Sequence, residues 1–497
     1  MFSYRSPIIF AVLLLTGCTQ VPRDGEFAEV ERLVGERIPQ KIHWYQGGSE
    51  DAEVVQVLQE FIAKPLTAQV AVQIALLNNR RLQAEYEALG IAQADLVQAG
   101  LLSNPVLFAS ARFPHGGGRT NTEFGLTKDF LDLLLRPARQ RLAETEFARA
   151  KLRAANAVLD LATEVATVFY RAQGTAQLAK MLAVVNDSAQ ASYELAQRFE
   201  AAGNLSERAL AQERSAAAET YAELARVRAE SQAARDELNR LLGLTGPARD
   251  WTLAESLPEL PAIDPDPDTT ETLALGQRLD LAGARKEITQ LADALDITRR
   301  YRFIGGATVG VDSERDTGGT RVTGPNFSVE LPVFDQRQAE IARLESLHKQ
   351  SAARAAALEA EIHAEVRAAS NRVSAARTLV EQYQNEVIPA NEQVVKFTQQ
   401  EQNYMLVDAF ELLFAQRQAR SAYRGYIEAV RDYWIARAEL ARAAGGSLPE
   451  ITPPVMPGST PAETNPKRDM PDMQPKEHGQ TMQHDQPSEN MSHEMQH

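Results

Sequence analysis

Along this chain of 497 residues the apolar positions follow two periods in a fixed order, and that order occurs twice. Each half begins with a helical pattern, Thr67 to Ala99 and Thr270 to Arg300. Two alternating runs follow, each pair split by a glycine-rich turn. In the first half Pro105 to Phe113 and Thr120 to Phe130 flank His115-Gly116-Gly117-Gly118. In the second, Phe303 to Asp312 and Arg321 to Leu331 flank Thr317-Gly318-Gly319. Phe124, Leu126 and Phe130 alternate with Glu123, Gly125, Thr127 and Asp129; Phe327, Val329 and Leu331 alternate with Asn326, Ser328 and Glu330. Runs of about nine to eleven residues match a tilted membrane-crossing strand. Very long helical patterns come next. One seam reads Phe147, Ala150, Ala154, Ala157, Leu161, Val165, Val168, and the other Leu358, Ile362, Val366, Ala369, Val373, Ala376, Val380, Tyr383, Val387. Steps of three and four with abundant alanine predict slender, closely packed coiled-coil helices, the first from Arg139 to near Glu200.

The duplication is visible in the letters. Ala234-Arg235-Asp236-Glu237-Leu238-Asn239-Arg240 is answered by Ala436-Arg437-Ala438-Glu439-Leu440-Ala441-Arg442. Leu205 matches Val407, Leu210 matches Leu412, Tyr221 matches Tyr423, and Asp132 matches Asp335 at nearly constant offset. A repeat of this kind settles topology before local detail does. The fold class expected is mainly α with a small β part: a duplicated unit of long coiled-coil helices plus two β-hairpins. Four strands cannot close a barrel, and open sheet edges are excluded from lipid. Three copies supply about twelve strands, inside the range of membrane barrels, so a homotrimeric barrel continued by a helical tunnel is expected.

Composition narrows the class. A net charge of −15 with no basic cluster argues against a nucleic-acid partner. The only cysteine, Cys18, excludes an internal disulfide. It follows a basic start at Arg5, an apolar run from Ile8 to Leu15, and Leu15-Thr16-Gly17. That run is too short to span a bilayer and suits a secretory signal. The Leu-Thr-Gly-Cys ending resembles the lipobox of bacterial lipoproteins, which implies acylation of Cys18. Thr19, in place of an acidic residue, implies export to the outer membrane. One lipid holds weakly, so strands are expected to supply the second attachment.

These features resemble the outer-membrane efflux protein family, the TolC-like channels, from about Leu66 to Gly445. The resemblance rests on Ala75-Leu76-x-Asn78-Asn79 with Leu82, on Asn104-Pro105, on the doubled architecture and on Val387-Ile388-Pro389. It also rests on a helix-turn-helix tip, Gly203-Asn204-Leu205-Ser206 with Leu210; the second tip carries Met405 where the family has glycine. The resemblance implies a homotrimer with a short barrel in outer-membrane lipid and a periplasmic tunnel. Its helix tips meet a periplasmic adaptor protein and, through it, an inner-membrane pump. Entrance and adaptor contacts are then expected at Glu200, Gly203, Leu205, Ser206, Glu401, Met405, Val407 and Asp408, the three acids being candidates for a selectivity ring. Neither enzymatic activity nor a cofactor is expected.

The boundaries that follow are 1–17 signal peptide, 18–65 N-terminal anchor segment, 66–247 first repeat, 248–269 Pro-rich linker, 270–445 second repeat, and 446–497 a Met/His-rich tail expected to be disordered. The tail holds Met470, Met473, His478, Met482, His484, Met491, His493, Met495 and His497. Thioether and imidazole together suit Cu(I) and Ag(I). His493-Glu494-Met495-Gln496-His497 spells a zinc-protease pattern, but that motif needs a packed helix to align its histidines, and this segment has no apolar face. Three functions are compatible with this reading. The first is a passive exit duct for copper, silver or other heavy-metal ions. The others are a duct for drugs, solvents or secreted polypeptide, and a non-conducting structural envelope lipoprotein.

Overall fold

The computed structural model describes residues 21–448 apart from Arg23 and Gly117. The first half comprises α1 (Phe27–Gly35), α2 (Ser49–Ile62), α3 (Ala68–Asn78), α4 (Arg80–Gly100), β1 (Val106–Arg112), β2 (Asn121–Asp129), α5 (Leu131–Ala201) and α6 (Glu207–Leu242). The second comprises α7 (Pro267–Gln277), α8 (Leu279–Arg300), β3 (Ala307–Arg315), β4 (Arg321–Val329), α9 (Gln338–Gln382), α10 (Ile388–Asn403) and α11 (Ala409–Ala444). The same sequence of helix pair, hairpin, long helix and returning helix is thus present twice.

Both opening helical stretches break once, at equivalent places. Asn79 and Arg278 adopt extended backbone between two helices. At Asn79 the side chain caps α4 by accepting from the Leu82 N–H, while its amide donates to the Leu241 carbonyl at 2.8 Å. The Asn78 amide donates to the carbonyls of Leu242 and Gly243 at 2.9 and 3.0 Å. The paired asparagines therefore satisfy carbonyls that the C-terminus of α6 leaves without helical partners. Gly243, in left-handed backbone, lets this close approach happen, since a Cβ there would meet the Asn78 carbonyl oxygen at 2.7 Å.

Helix α5 runs for 71 residues, on the order of 105 Å. It begins eight residues before the sequence expectation and carries Pro137 inside its second turn, where the ring removes the backbone donor that would reach the Leu133 carbonyl. Most of the predicted seam is buried, namely Phe147, Ala150, Ala154, Leu161, Val165 and Val168 in α5, and Ile362, Val366, Ala369, Val373, Ala376 and Val380 in α9, while Ala157, Leu358, Tyr383 and Val387 are half-buried. α5 packs on α6, α4, α11 and α8, and α9 packs on α11 and α8. Between α9 and α10, Tyr383–Val387 forms one widened turn. Pro389 follows it and cannot donate to the preceding ladder, which is where such a widening relieves the chain.

The N-terminal residues join this body. Phe27 of α1 meets Tyr86 edge-on at 4.9 Å and Trp44 at 5.8 Å, and Val30 and Val34 are buried. The Pro-rich stretch between the halves is pinned along its length. Leu66 N–H donates to the Thr252 carbonyl, the Gln173 amide to those of Ala254 and Ser256, and the Trp434 indole to that of Pro258. The duplicated arginines serve this segment from two sides. Arg235 donates to the carbonyls of Arg249 and Trp251, and Arg437 pairs with Asp264 at 2.8 Å.

Candidate functional site

The four strands form one antiparallel sheet in the order β1-β2-β3-β4, leaving β1 and β4 as unpaired edges. Its register sorts most of the side chains by character, with Val106, Phe108 and Val322 on the otherwise polar face and Lys128 at the end of the apolar one. Leu107, Leu126 and Val311 are successive partners across β1 to β3, as are Ala109, Phe124 and Ser313; Val309 faces Phe327. This face is apolar through its middle and open, with Leu126 at 50% and Phe327 at 69% exposure. The other face carries Ser110, Glu123 and Glu314 in one row, Gly125 and Asp312 in the next, and Asn326 beside Gly310. Its acids are bridged by neutral amides: Asn121 donates to Glu314 at 2.6 Å and Asn326 to Asp312 at 2.8 Å. A sheet apolar on one side and polar on the other matches the wall of a water-filled barrel. β3 starts four residues later than the alternation of Phe303 suggests, because Gly305 and Gly306 bend around Glu330 before pairing begins.

At the opposite end of the long helices lie the two hairpin tips, joined by an edge-on contact of Phe199 with Phe410 at 6.3 Å. Both tips have the same turn. The Gly203 N–H donates to the Glu200 carbonyl and that of Asn204 to Phe199; in the second tip Met405 donates to Gln402 and Leu406 to Glu401. Gly203 has φ 76° and Met405 has φ 57°. Met405 thus occupies the left-handed region that glycine takes in the first tip, so losing glycine leaves the turn geometry unchanged. Ser206 and Asp408 are equivalent N-caps, accepting from the N–H groups of Ala209 and Glu411. Leu205 and Val407, each half-buried, precede the caps, with Leu210 and Leu412 at the positions a hydrophobic staple uses. The Asp408 carboxylate is therefore engaged in holding its helix, while among the described residues the Glu200 and Glu401 side chains stand on the helix ends without a partner.

The tip also presents residues that periodicity did not single out. Tyr404, Met405 and Leu406 are exposed at 79, 93 and 73%. Three consecutive large apolar side chains on a turn form a contact surface, and left-handed backbone at a non-glycine is the signal that marks it. That conformation costs about 1–2 kcal/mol, part of which glycine's greater unfolded-state freedom offsets. Met405→Gly is accordingly expected to stabilise the protein by about 0.5–1 kcal/mol while weakening any partner seated on the tip, with Gly203→Ala doing the reverse for stability. Thermal melting of the two variants checks the sign; a destabilised Met405→Gly would sink the strain argument.

Cys18 and the ligands from Met470 to His497 lie outside the described residues. Among the described residues, no group of three or more His, Cys, Asp or Glu is placed to hold a metal ion.

No family model matches the chain. Over 384 residues it is 26% identical to the cobalt-zinc-cadmium resistance protein CzcC of Cupriavidus metallidurans, covering 75% of this chain and 89% of that one. Its fold matches a membrane protein from Pseudomonas aeruginosa with a TM-score of 0.66, at 18% identity, over 78% of this chain and 95% of the other. It also matches the CmeC outer membrane channel of Campylobacter jejuni with a TM-score of 0.65, at 16% identity, over 76 and 85% of the two chains. The chain shares the fold of these outer-membrane channels and resembles CzcC in sequence. The Asn78-Asn79 and Val387-Ile388-Pro389 motifs are the helix-end clasp and the widened turn described above.

Proposed function

We propose that this chain is the passive outer-membrane exit duct of a tripartite efflux system for heavy-metal ions, and that it catalyses no reaction. The observation that carries the proposal is the four-stranded sheet, polar on one face and apolar on the other, with both edges open. Open edges in lipid must be paired, and three copies closing edge to edge pair them all. The polar faces then line a lumen bearing Glu123, Asp312 and Glu314, a sign of charge that suits cations. The adaptor protein seats on the exposed Tyr404-Met405-Leu406 tip, and through it the inner-membrane pump is engaged. Cys18 carries the lipid that holds the chain to the outer membrane.

A metal cargo is supported from two sides: the relative named for cobalt, zinc and cadmium resistance, and the methionine- and histidine-rich tail of this chain. The tail raises the local concentration of soft ions near the channel. Thioether remains a ligand at acid pH whereas imidazole protonates, so Cu(I) and Ag(I) should stay bound to it below about pH 5 while Zn(II) is released. A peptide spanning Asp469 to His497 is expected to bind Cu(I) or Ag(I) in a titration. It should lose most of that binding when Met470, Met473, Met482, Met491 and Met495 become leucine; unchanged binding would refute the thioether role. In cells lacking the gene, the full chain should restore tolerance to heavy metals. Restored tolerance to drugs or solvents alone would favour the second reading, a duct for organic cargo.

A further inference from the structure

The apolar face of the sheet ends, at the turn side, in two arginines. Arg315 and Arg321 are the partners that close the β3–β4 ladder, so their side chains leave the sheet side by side on the same face. Four residues further along β3 that face becomes Val311 beside Pro325, then Val309 beside Phe327. From Arg315 to Ala307 the strand covers about 26 Å, which at a barrel tilt of about 40° rises roughly 20 Å, most of the height of the apolar band on a membrane barrel. The two guanidinium groups therefore sit at the rim of that band, level with lipid headgroups.

Both arginines are exposed, and among the described residues neither takes part in an ion pair. The nearby acids are engaged elsewhere. Asp316 accepts from the Thr317 N–H at 2.6 Å, and Glu314, on the opposite face, accepts from Asn121. Arg112, at the end of β1, points to the polar face and pairs with Glu123 at 3.5 Å. Like charges directly opposed across two strands destabilise a sheet unless something neutralises them. At a lipid-facing rim the neutralising group must come from the membrane.

We propose that Arg315 and Arg321 form a docking site for the phosphate of an anionic, phosphate-bearing lipid of the outer leaflet. Two planar forks side by side offer the bidentate geometry that phosphate oxygens accept. Three such pairs would be spaced around a trimeric barrel, anchoring its outer rim. The inference rests on the reading of these strands as membrane-spanning, which flotation of the protein with lipid vesicles tests separately.

The experiment uses the full-length protein extracted in detergent, with diphosphoryl lipid A as probe, and phosphatidylethanolamine and inorganic phosphate as comparison arms. Native mass measurement and melting temperature report binding. The wild-type chain is expected to retain diphosphoryl lipid A and melt higher with it than with either comparison. Arg315→Ser/Arg321→Ser should reduce retention by about tenfold. Arg321→Glu should do the same while melting at or above wild type in the absence of lipid A, because it turns a repulsive cross-strand pair into an attractive one. Retention unchanged in both variants would overturn the proposal, as would an equal response to inorganic phosphate. Failure of the wild-type chain to float with vesicles would instead remove the membrane-spanning reading.

Discussion

Asp264→Ala is expected to destabilise the protein by about 3 kcal/mol, the lower end of the range for stripping one partner from a buried ion network. Asp264 accepts from Arg377 Nε at 2.7 Å, from Arg437 at 2.8 Å and from the Tyr433 hydroxyl at 2.6 Å. Arg377 also lies 5.4 Å from the centroid of the Tyr433 ring and donates to the Pro261 carbonyl. One carboxylate thus holds the inter-repeat segment to α9 and α11 at once. Without it, Arg437 loses its ion partner and Arg377 keeps only Glu381, at 3.8 Å. Burial alone would raise the Asp264 pKa, but the hydrogen bonds from Arg377 and Tyr433 and the charges of Arg377 and Arg437 outweigh it and bring it below the ordinary aspartate value. Burial, with the Asp264 hydrogen bond, pushes the Tyr433 hydroxyl up to about 12, so it stays a donor throughout the working range. A depressed carboxylate pKa contributes stability that is complete above the unfolded value near pH 4 and is lost as pH falls through the folded value. The gap between wild type and Asp264→Asn, read from melting temperatures, should therefore be constant from pH 5 to 8 and narrow below about pH 4. A gap that widens in acid would reverse the assignment.

Much of this architecture is legible in the sequence because period and repetition are local signals. The seams of α5 and α9 are read from spacing alone, and a strand alternating Phe124, Leu126 with Glu123, Gly125, Thr127 declares its two faces. What spacing does not carry is pairing between distant residues. The partnership of Glu123 with Glu314, of Arg315 with Arg321, and of Asp264 with three side chains more than 100 residues away depends on how the halves come together. The segment holding Asp264 reads as a linker because proline suppresses every periodic signal, although side chains of the surrounding helices fix it. At the second tip the sequence shows only that glycine is missing. The turn survives because backbone hydrogen bonds from Met405 and Leu406, with the Asp408 cap, hold a conformation that a methionine would not choose alone.

The sharpest test of the barrel compares two neighbouring residues. Leu126 stands on the apolar face between Leu107 and Val311, and Thr127 on the polar face between Val106 and Gly310. An arginine facing lipid near mid-bilayer costs about 2–4 kcal/mol, and in a trimer that penalty is incurred in every copy. Leu126→Arg is therefore expected to abolish most insertion into the outer membrane. Thr127→Arg places the same charge in water, among acids of the polar face, and should insert at close to the wild-type level while changing ion conductance. Membrane fractionation and trimer recovery in detergent separate the outcomes. If both variants insert equally, the strands do not meet lipid. If Thr127→Arg fails and Leu126→Arg survives, the lumen and lipid faces are exchanged, and the rim arginines on the Leu126 face would then point into the channel.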